Sequence, residues 1–195
     1  MKKLLIPSLL LVFLLIAPSC NPTSNQVPTA TDKFFDVSGF FQAEVERLNQ
    51  LQPSAEKSFV VNQLKEITEP ISLNYQLELS PFIDSDINKK AWEDKYSIES
   101  SSETLSYKAI DEQLEIKEIT IQLDPTNHPT HIQIIKISES PLSYNKTILI
   151  YRLDREIEII STQKNILSKE KEIRTKVSFT KKRGSAKNTT SALTK

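Results

Sequence analysis

Glycine is almost missing from this chain of 195 residues, which contains only Gly39 and Gly184. Loops that cradle phosphate groups need several glycines, because their backbone N–H groups must approach the ligand closely. The sequence therefore excludes a Walker-type nucleotide loop and a dinucleotide-binding fingerprint. Two-residue hairpin turns also favour Asn-Gly or Asp-Gly, so we expect longer loops rich in proline, asparagine, aspartate and serine between the strands.

Cysteine is scarcer still, since Cys20 is the only one and an exported chain could form no internal disulfide. It follows two lysines, Lys2 and Lys3, and an apolar run over residues 4–17. This run is shorter than the roughly 20 residues that a membrane-spanning helix needs. A charged start, a short apolar run and small residues before a cut are typical of a signal peptide, which we predict over residues 1–19.

The residues Ala17-Pro18-Ser19-Cys20 resemble the lipobox of bacterial lipoproteins, in the relaxed form found in the Bacteroidota. The resemblance implies cleavage before Cys20 and attachment of a diacylglycerol to its sulfur. Acyl chains such as palmitate would then hold the protein to the cell envelope, at the outer membrane or on the periplasmic side, because each buried methylene contributes about 0.8 kcal/mol. The alternative is an ordinary signal peptide that happens to precede a cysteine.

Basic residues are too few and too scattered in the body of the chain for nucleic-acid binding. Residues 34–180 contain 24 acidic and 17 basic side chains, whereas residues 181–195 contain five basic and no acidic ones. Binding to phosphates needs clustered lysine and arginine, so we expect no nucleic-acid partner. We predict a flexible tether over residues 20–32, one α+β domain over residues 33–180 and a disordered basic tail over residues 181–195.

Apolar residues recur every three or four positions at the start of the predicted domain. This spacing, which includes four phenylalanines, predicts an amphipathic helix over residues 33–51 that ends before Pro53. Ser38 or Asp32 would supply its N-cap. We expect the apolar face of this helix to pack in the core.

The segment after this helix is less regular. Residues 57–62 predict a short strand, which residues 64–68 would extend or return. Residues 71–82 fit both periods, because their apolar residues alternate as in a strand and also recur at helical spacing. We favour a helix there and expect Trp92 to pack against the core.

From Tyr96 onwards, apolar and polar residues alternate in short runs, a pattern typical of antiparallel strands buried on one face. We predict a meander of about six or seven strands. The alternation of apolar and polar residues shifts by one residue between Ile116 and Ile119, and again at Ile134-Ile135. Such shifts predict bulges and a curved sheet. The fold class is therefore α+β, with N-terminal helices packed on a curved antiparallel β-meander.

His128 and His131 are the only histidines of the chain, and their spacing would let both imidazoles approach one metal ion. Two exposed loop side chains are the commoner explanation of such a pair. We therefore assign no metal, cofactor or catalytic site to them.

Asp84, Asp86 and Asn88 match the first three ligand positions of a calcium-binding EF-hand loop. The match then fails, because Lys89 stands where the loop needs glycine and Lys95 where it needs the bidentate glutamate. We predict instead that Asp84 lies at the end of a helix.

The residues 32–41, Asp-Lys-Phe-Phe-Asp-Val-Ser-Gly-Phe-Phe, together with residues 86–92, resemble small Bacteroidota lipoproteins of unknown activity. This resemblance implies the same layout of signal, helix and strand-rich body but assigns no active site. We expect a non-enzymatic envelope lipoprotein that binds a partner protein or an apolar ligand. The alternative is a structural or assembly lipoprotein that acts through its surface, and an enzyme is the least favoured reading.

Overall fold

The computed structural model describes residues 33–67 and 73–180, which form two helices, a short 3₁₀ turn and nine strands. The helices are α1 (Val37–Leu51) and α2 (Tyr75–Ile83). The strands are β1 (Ser54–Val61), β2 (Leu64–Ile67), β3 (Tyr96–Ser100), β4 (Thr104–Ala109), β5 (Ile116–Leu123), β6 (Pro129–Ser140), β7 (Ser143–Arg152), β8 (Glu156–Asn165) and β9 (Lys171–Thr180). The predictions for the signal peptide, Cys20, the tether and the basic tail lie outside the described residues.

All nine strands belong to one antiparallel sheet with the order β2-β1-β9-β8-β7-β6-β5-β4-β3. Strands β3 to β9 are neighbours in chain order and form a meander. The hairpin of β1 and β2 extends the same sheet, because β1 pairs with β9 over its whole length. The predicted α+β fold with an antiparallel sheet is confirmed. The predicted count of about six or seven strands is wrong, because the β1–β2 hairpin brings the sheet to nine strands.

Helix α1 begins four residues later than predicted, and its N-cap is Asp36 rather than Ser38 or Asp32. The Oδ1 of Asp36 accepts a hydrogen bond from the backbone N of Gly39 at 2.7 Å. Gly39 is suited to this position because a Cβ there would lie 2.1 Å from the Oδ2 of Asp36. The two residues therefore place a carboxylate directly at the start of the helix.

The expectation of long hairpin loops is wrong at the β1–β2 turn, which consists of Asn62 and Gln63 alone. Both residues have positive φ, 47° and 71°, the backbone geometry of a tight hairpin turn that glycine usually supplies. Asparagine tolerates this conformation, and the Oδ1 of Asn62 also accepts a hydrogen bond from the backbone N of Glu172 at 2.9 Å.

The ambiguous segment over residues 71–82 is helical from Tyr75 onwards, as we favoured. Asn74 caps α2 by accepting a hydrogen bond from the backbone N of Leu77. The buried residues Tyr75, Leu79 and Phe82 form the inner face of the helix, and Asp84 is its C-cap, as predicted. Pro81 lies inside the helix.

A bulge occurs at one of the two positions where the sequence predicts one. The register of pairing between β5 and β6 shifts between Ile116 and Glu118, which leaves one extra residue in β5. An extra residue of this kind bends a strand. At Ile134-Ile135 the pairing continues without a shift, so the second predicted bulge is wrong. Ile134 is buried in the core, whereas Ile135 lies on the opposite face of the sheet.

Both helices pack on one face of the sheet, where they enclose the core with the inward residues of the strands. Aromatic contacts join the two layers: the rings of Phe41 and Tyr151 lie 5.3 Å apart, and those of Tyr75 and Phe179 lie 6.4 Å apart. Trp92 packs against the core, as predicted. Neither helix of the described residues is long and apolar enough to cross a membrane.

Tyr96 makes the stability of the fold sensitive to alkaline pH. Its hydroxyl donates to the backbone O of Ile116 at 2.9 Å, and burial raises the pKa of Tyr96 to about 12. The folded state therefore favours the neutral form of Tyr96. The contribution of Tyr96 to the free energy of unfolding is full below pH 10 and is lost as the pH rises towards 12. About 2 kcal/mol is lost between pH 10 and pH 12, because the slope reaches roughly 1.4 kcal/mol per pH unit only between the two pKa values.

We therefore expect the stability difference between the wild type and a Tyr96→Phe variant to shrink by that amount between pH 10 and pH 12. Urea unfolding of both proteins across this range measures the difference. A Tyr144→Phe variant is the control, because the hydroxyl of Tyr144 makes no hydrogen bond within the described residues. Parallel pH profiles for the wild type and Tyr96→Phe would contradict the assignment.

Candidate functional site

A cavity of about 830 Å³ lies where the start of α1 meets β3, β4 and the loop between β5 and β6. Its wall combines apolar and aromatic side chains with a polar rim. The apolar part consists of Phe35, Phe40, Ala43, Ile98, Leu105, Leu123 and Pro129, together with the ring of Tyr107. The polar and charged side chains of the lining, called the rim below, are Lys33, Asp36, Glu44, Ser100, Ser101, Asp124, Thr126, Asn127 and His128.

The aromatic wall is held in place by contacts with the core. The ring of Phe40 lies 5.7 Å from Phe35, 5.1 Å from Phe41 and 6.0 Å from Tyr151. The hydroxyl of Tyr107 accepts a hydrogen bond from the backbone N of Phe35 at 3.1 Å. The wall is therefore formed before any ligand arrives.

Asn88 fixes the chain segment that enters α1. Its Oδ1 accepts a hydrogen bond from the backbone N of Phe34, and its Nδ2 donates to the backbone oxygens of Phe34 and Phe35. The Nδ2 also donates to Oδ1 of Asp86 at 3.3 Å. The stretch that partly matches an EF-hand loop thus holds the backbone of the cavity wall.

Asp86 lies close to the cap of α1. Burial is the main cause that raises the pKa of the Asp86 carboxyl, and the negative charge of Asp36 raises it further. Its hydrogen bonds with Asn88 act in the opposite direction. Within residues 33–67 and 73–180, no group of three or more His, Cys, Asp and Glu side chains is arranged to hold a metal ion.

An ionic network around the buried Glu44 adjoins the cavity wall. The carboxylate of Glu44, whose side chain is 6% exposed, accepts a hydrogen bond from the hydroxyl of Tyr151 and is paired with Arg47 at 2.8 Å. Arg47 also binds Asp154 at 2.8 Å. Burial, and then the charge of Glu44, raise the pKa of the Tyr151 hydroxyl above its ordinary value. Tyr151 therefore remains a neutral donor.

The loop between β5 and β6 is ordered by one carboxylate. Oδ1 of Asp124 accepts hydrogen bonds from the hydroxyl and backbone N of Thr126 and from the backbone N of His128. The hydrogen bond from the Thr126 hydroxyl is the main cause that lowers the pKa of Asp124, which favours the ionised carboxylate. Asn127 adopts the left-handed conformation in the same turn, with φ 61°.

The structure separates the two histidines on which a shared metal would depend. His128 lies at the cavity, with its ring 6.3 Å from Phe40. His131 lies on the opposite face of the sheet, because it is paired with Arg152 while the adjacent Ile132 is buried in the core. Burial and the charge of Arg152 lower the pKa of His131. The two imidazoles therefore point to different environments.

Sequence reasoning missed Glu44, although a signal was present. Glu44 lies three residues after Phe41 and four before Leu48, within the apolar stripe of α1. A charged residue at such a position has to be paired, which predicts a buried partner such as Arg47 or Tyr151. The cavity itself gave no sequence signal, because its wall comes from segments far apart in the chain.

Glu44 has the most deeply buried carboxylate among the described residues. This carboxylate already accepts hydrogen bonds from Arg47 and Tyr151, so it is not free to act as a base. What remains is a preformed, largely apolar cavity with a polar rim. No family model, curated protein or solved structure matches the chain, so its function is argued from this geometry.

Proposed function

We propose that this protein is an envelope lipoprotein, anchored through Cys20, whose folded part is a non-catalytic module that binds an apolar or amphiphilic small molecule. The cavity between α1 and the β3–β4 end of the sheet is the observation that carries this proposal. It lies beside a core in which the neighbouring large side chains are fully packed. A pocket lined by apolar side chains together with a few polar groups is typical of ligand sites.

The size and lining of the cavity support a small ligand. Its volume of about 830 Å³ falls within the range of roughly 300 to 1,000 Å³ that ligand pockets usually have. Register shifts at both ends of β5 are of the kind that curve a sheet, and the second lies at Leu123 in the cavity wall. Sheet curvature therefore supports a concave site at this end of the fold.

The position of the cavity supports a ligand taken from the membrane. Lys33, which lines the cavity, is 13 residues beyond Cys20 in the sequence. A chain of that length spans at most about 45 Å. With Cys20 anchored by lipid, the cavity would remain near the bilayer surface, where apolar compounds are concentrated.

A structural or assembly protein that acts through its surface is the second candidate. The face of the sheet away from the helices favours it, because Ile135, Ile148 and Ile160 are paired across three strands there. These side chains are only partly buried. This candidate requires no ligand in the cavity, so a cavity experiment separates the two.

Filling the cavity is expected to abolish binding of a neutral apolar probe. In an Ala43→Phe variant, the added ring projects from α1 into the cavity, because Ala43 lines it. We expect 1-octanol to bind the full chain and to bind this variant at least about tenfold more weakly, a loss of roughly 1.4 kcal/mol. Isothermal titration in maltoside micelles, with empty micelles as the blank, measures both affinities.

Gln42→Phe is the matched control, because it adds the same ring on the exposed side of the same helix. It should bind 1-octanol as the wild type does. Circular dichroism of both variants checks that the sheet and helices persist. Absence of octanol binding to the wild type, or equal binding to a folded Ala43→Phe variant, would refute the cavity as the ligand site.

A further inference from the structure

We infer that the ligand carries a positive charge at its polar end, so that the cavity selects a cationic amphiphile over a fatty acid or a phosphate ester. This inference rests on the proposed function, because it specifies the chemistry of the same ligand. The apolar wall would hold the hydrocarbon part. The rim would hold an ammonium or guanidinium group.

The charges at the rim are mainly negative. Three carboxylates, those of Asp36, Glu44 and Asp124, line the cavity against one ammonium group, that of Lys33. The Nζ of Lys33 already donates to the backbone oxygen of Glu93. An anionic ligand end would therefore meet more charges of its own sign than of the opposite sign.

Two of the three carboxylates retain an oxygen that can receive a cation. Oδ1 of Asp36 accepts the Gly39 N–H and Oδ1 of Asp124 accepts three bonds within its loop, but neither Oδ2 has a hydrogen bond or ion pair among the described residues. Glu44 differs, because Arg47 and Tyr151 occupy its oxygens. Asp36 and Asp124 are therefore the residues expected to contact the cation.

The aromatic wall favours the same sign of charge. The rings of Phe35, Phe40 and Tyr107 line the cavity, and the face of an aromatic ring attracts cations and disfavours anions. Quaternary ammonium groups are recognised by combinations of aromatic faces and carboxylates. Both features occur together in this cavity.

Besides Lys33, the start of α1 is a feature of the cavity that would attract an anion. A helix N-terminus carries a partial positive charge of roughly half a unit. Here the carboxylate of Asp36, with its full negative charge, caps that terminus and occupies the Gly39 N–H at 2.7 Å. The helix therefore presents a net negative end to the cavity.

Three probes with the same chain length test the inference: octyltrimethylammonium, 1-octanol and octanoate. Titrated into the full chain in maltoside micelles at low salt, octyltrimethylammonium is expected to bind roughly tenfold more tightly than octanoate, with 1-octanol between them. The preference should weaken at 1 M salt, where charges near the surface are screened.

A double variant, Asp36→Asn with Asp124→Asn, removes two charges while preserving shape. Asparagine caps helices as well as aspartate does, and each retained Oδ1 can accept the same backbone hydrogen bonds. We expect this variant to lose most of the preference for octyltrimethylammonium over octanoate. An unchanged urea midpoint confirms that the fold is retained.

The outcomes separate this inference from the proposed function. Equal binding of all three probes to the wild type, or tighter binding of octanoate, would overturn the cationic ligand while leaving the apolar cavity site standing. A cation preference that survives in the folded double variant would likewise overturn it. Absence of binding by any of the three would refute the proposed function as well.

Discussion

Replacing Arg47 by methionine is expected to lower the free energy of unfolding by about 3 kcal/mol, because it leaves the buried carboxylate of Glu44 without its cationic partner. Arg47 donates to both oxygens of Glu44, at distances from 2.8 to 3.1 Å. The Glu44 side chain is only 6% exposed. The Arg47 side chain is 30% exposed, so we expect the lower end of the range for broken buried pairs.

The physical cause is the uncompensated charge rather than the lost contact, and a second variant tests that distinction. Replacing Glu44 by leucine, Arg47 by methionine and Tyr151 by phenylalanine together removes the whole polar group. Such replacements by apolar side chains of similar volume are often neutral or stabilising. We therefore expect the triple variant to be more stable than Arg47→Met alone.

Urea unfolding of the full chain, followed by far-ultraviolet circular dichroism, measures these differences. Arg155→Met is the matched control, because Arg155 is exposed and makes no ion pair within the described residues. It should change the free energy of unfolding by less than about 0.5 kcal/mol. A loss below about 1 kcal/mol in Arg47→Met, or an equal loss in the triple variant, would show that the network is not a buried pair.

The strands of the meander could be predicted from the sequence because one face of the sheet is covered by helices. Burial on one face imposes alternation, as in β5, where Ile119 and Ile121 are buried and Thr120 is not. Helix α1 was predictable for the related reason that Phe41, Val45 and Leu48 recur at helical spacing. In both cases the pattern records contact with the core.

Strand ends could not be predicted, because the alternation of apolar and polar residues is absent where the sheet extends beyond the core. In β8, for example, Ile157 and Ile159 face the core, but beyond Ile160 the strand continues to Asn165 through polar residues only. Those residues pair with β7 and β9 through backbone hydrogen bonds, which any side chain permits. The pairing of β1 with β9 likewise leaves no signal in either segment.

The candidate site was only partly predictable. Asp124 and Asn127 are of residue types that favour turns, so a loop before Pro129 can be predicted from the sequence. The cavity beside that loop depends on Phe35, Ile98 and Leu123, whose proximity follows from strand order and not from local sequence. Sequence periodicity identifies the side chains that face the core. It does not show where those side chains leave an unfilled space such as this cavity.

Replacing Cys20 by alanine is expected to abolish lipid labelling of the protein and release it from the membrane. Cys20 is the only thiol in the chain, so the variant has no sulfur to accept a diacylglycerol. One acyl chain holds a protein only reversibly, whereas the two or three chains of a lipoprotein hold it stably, at about 0.8 kcal/mol per buried methylene. The effect should therefore be close to complete rather than partial.

Growing cells with an alkyne-bearing fatty acid and then tagging it measures acylation, and an alkaline wash of the membranes measures attachment. Ser24→Ala is the control, because it changes a nearby polar residue in the predicted tether and leaves Cys20 in place. The control should be labelled and pelleted as the wild type is. Label on the Cys20→Ala variant would show that another residue accepts the lipid, and an unlabelled wild type would show that the cysteine follows an ordinary signal peptide.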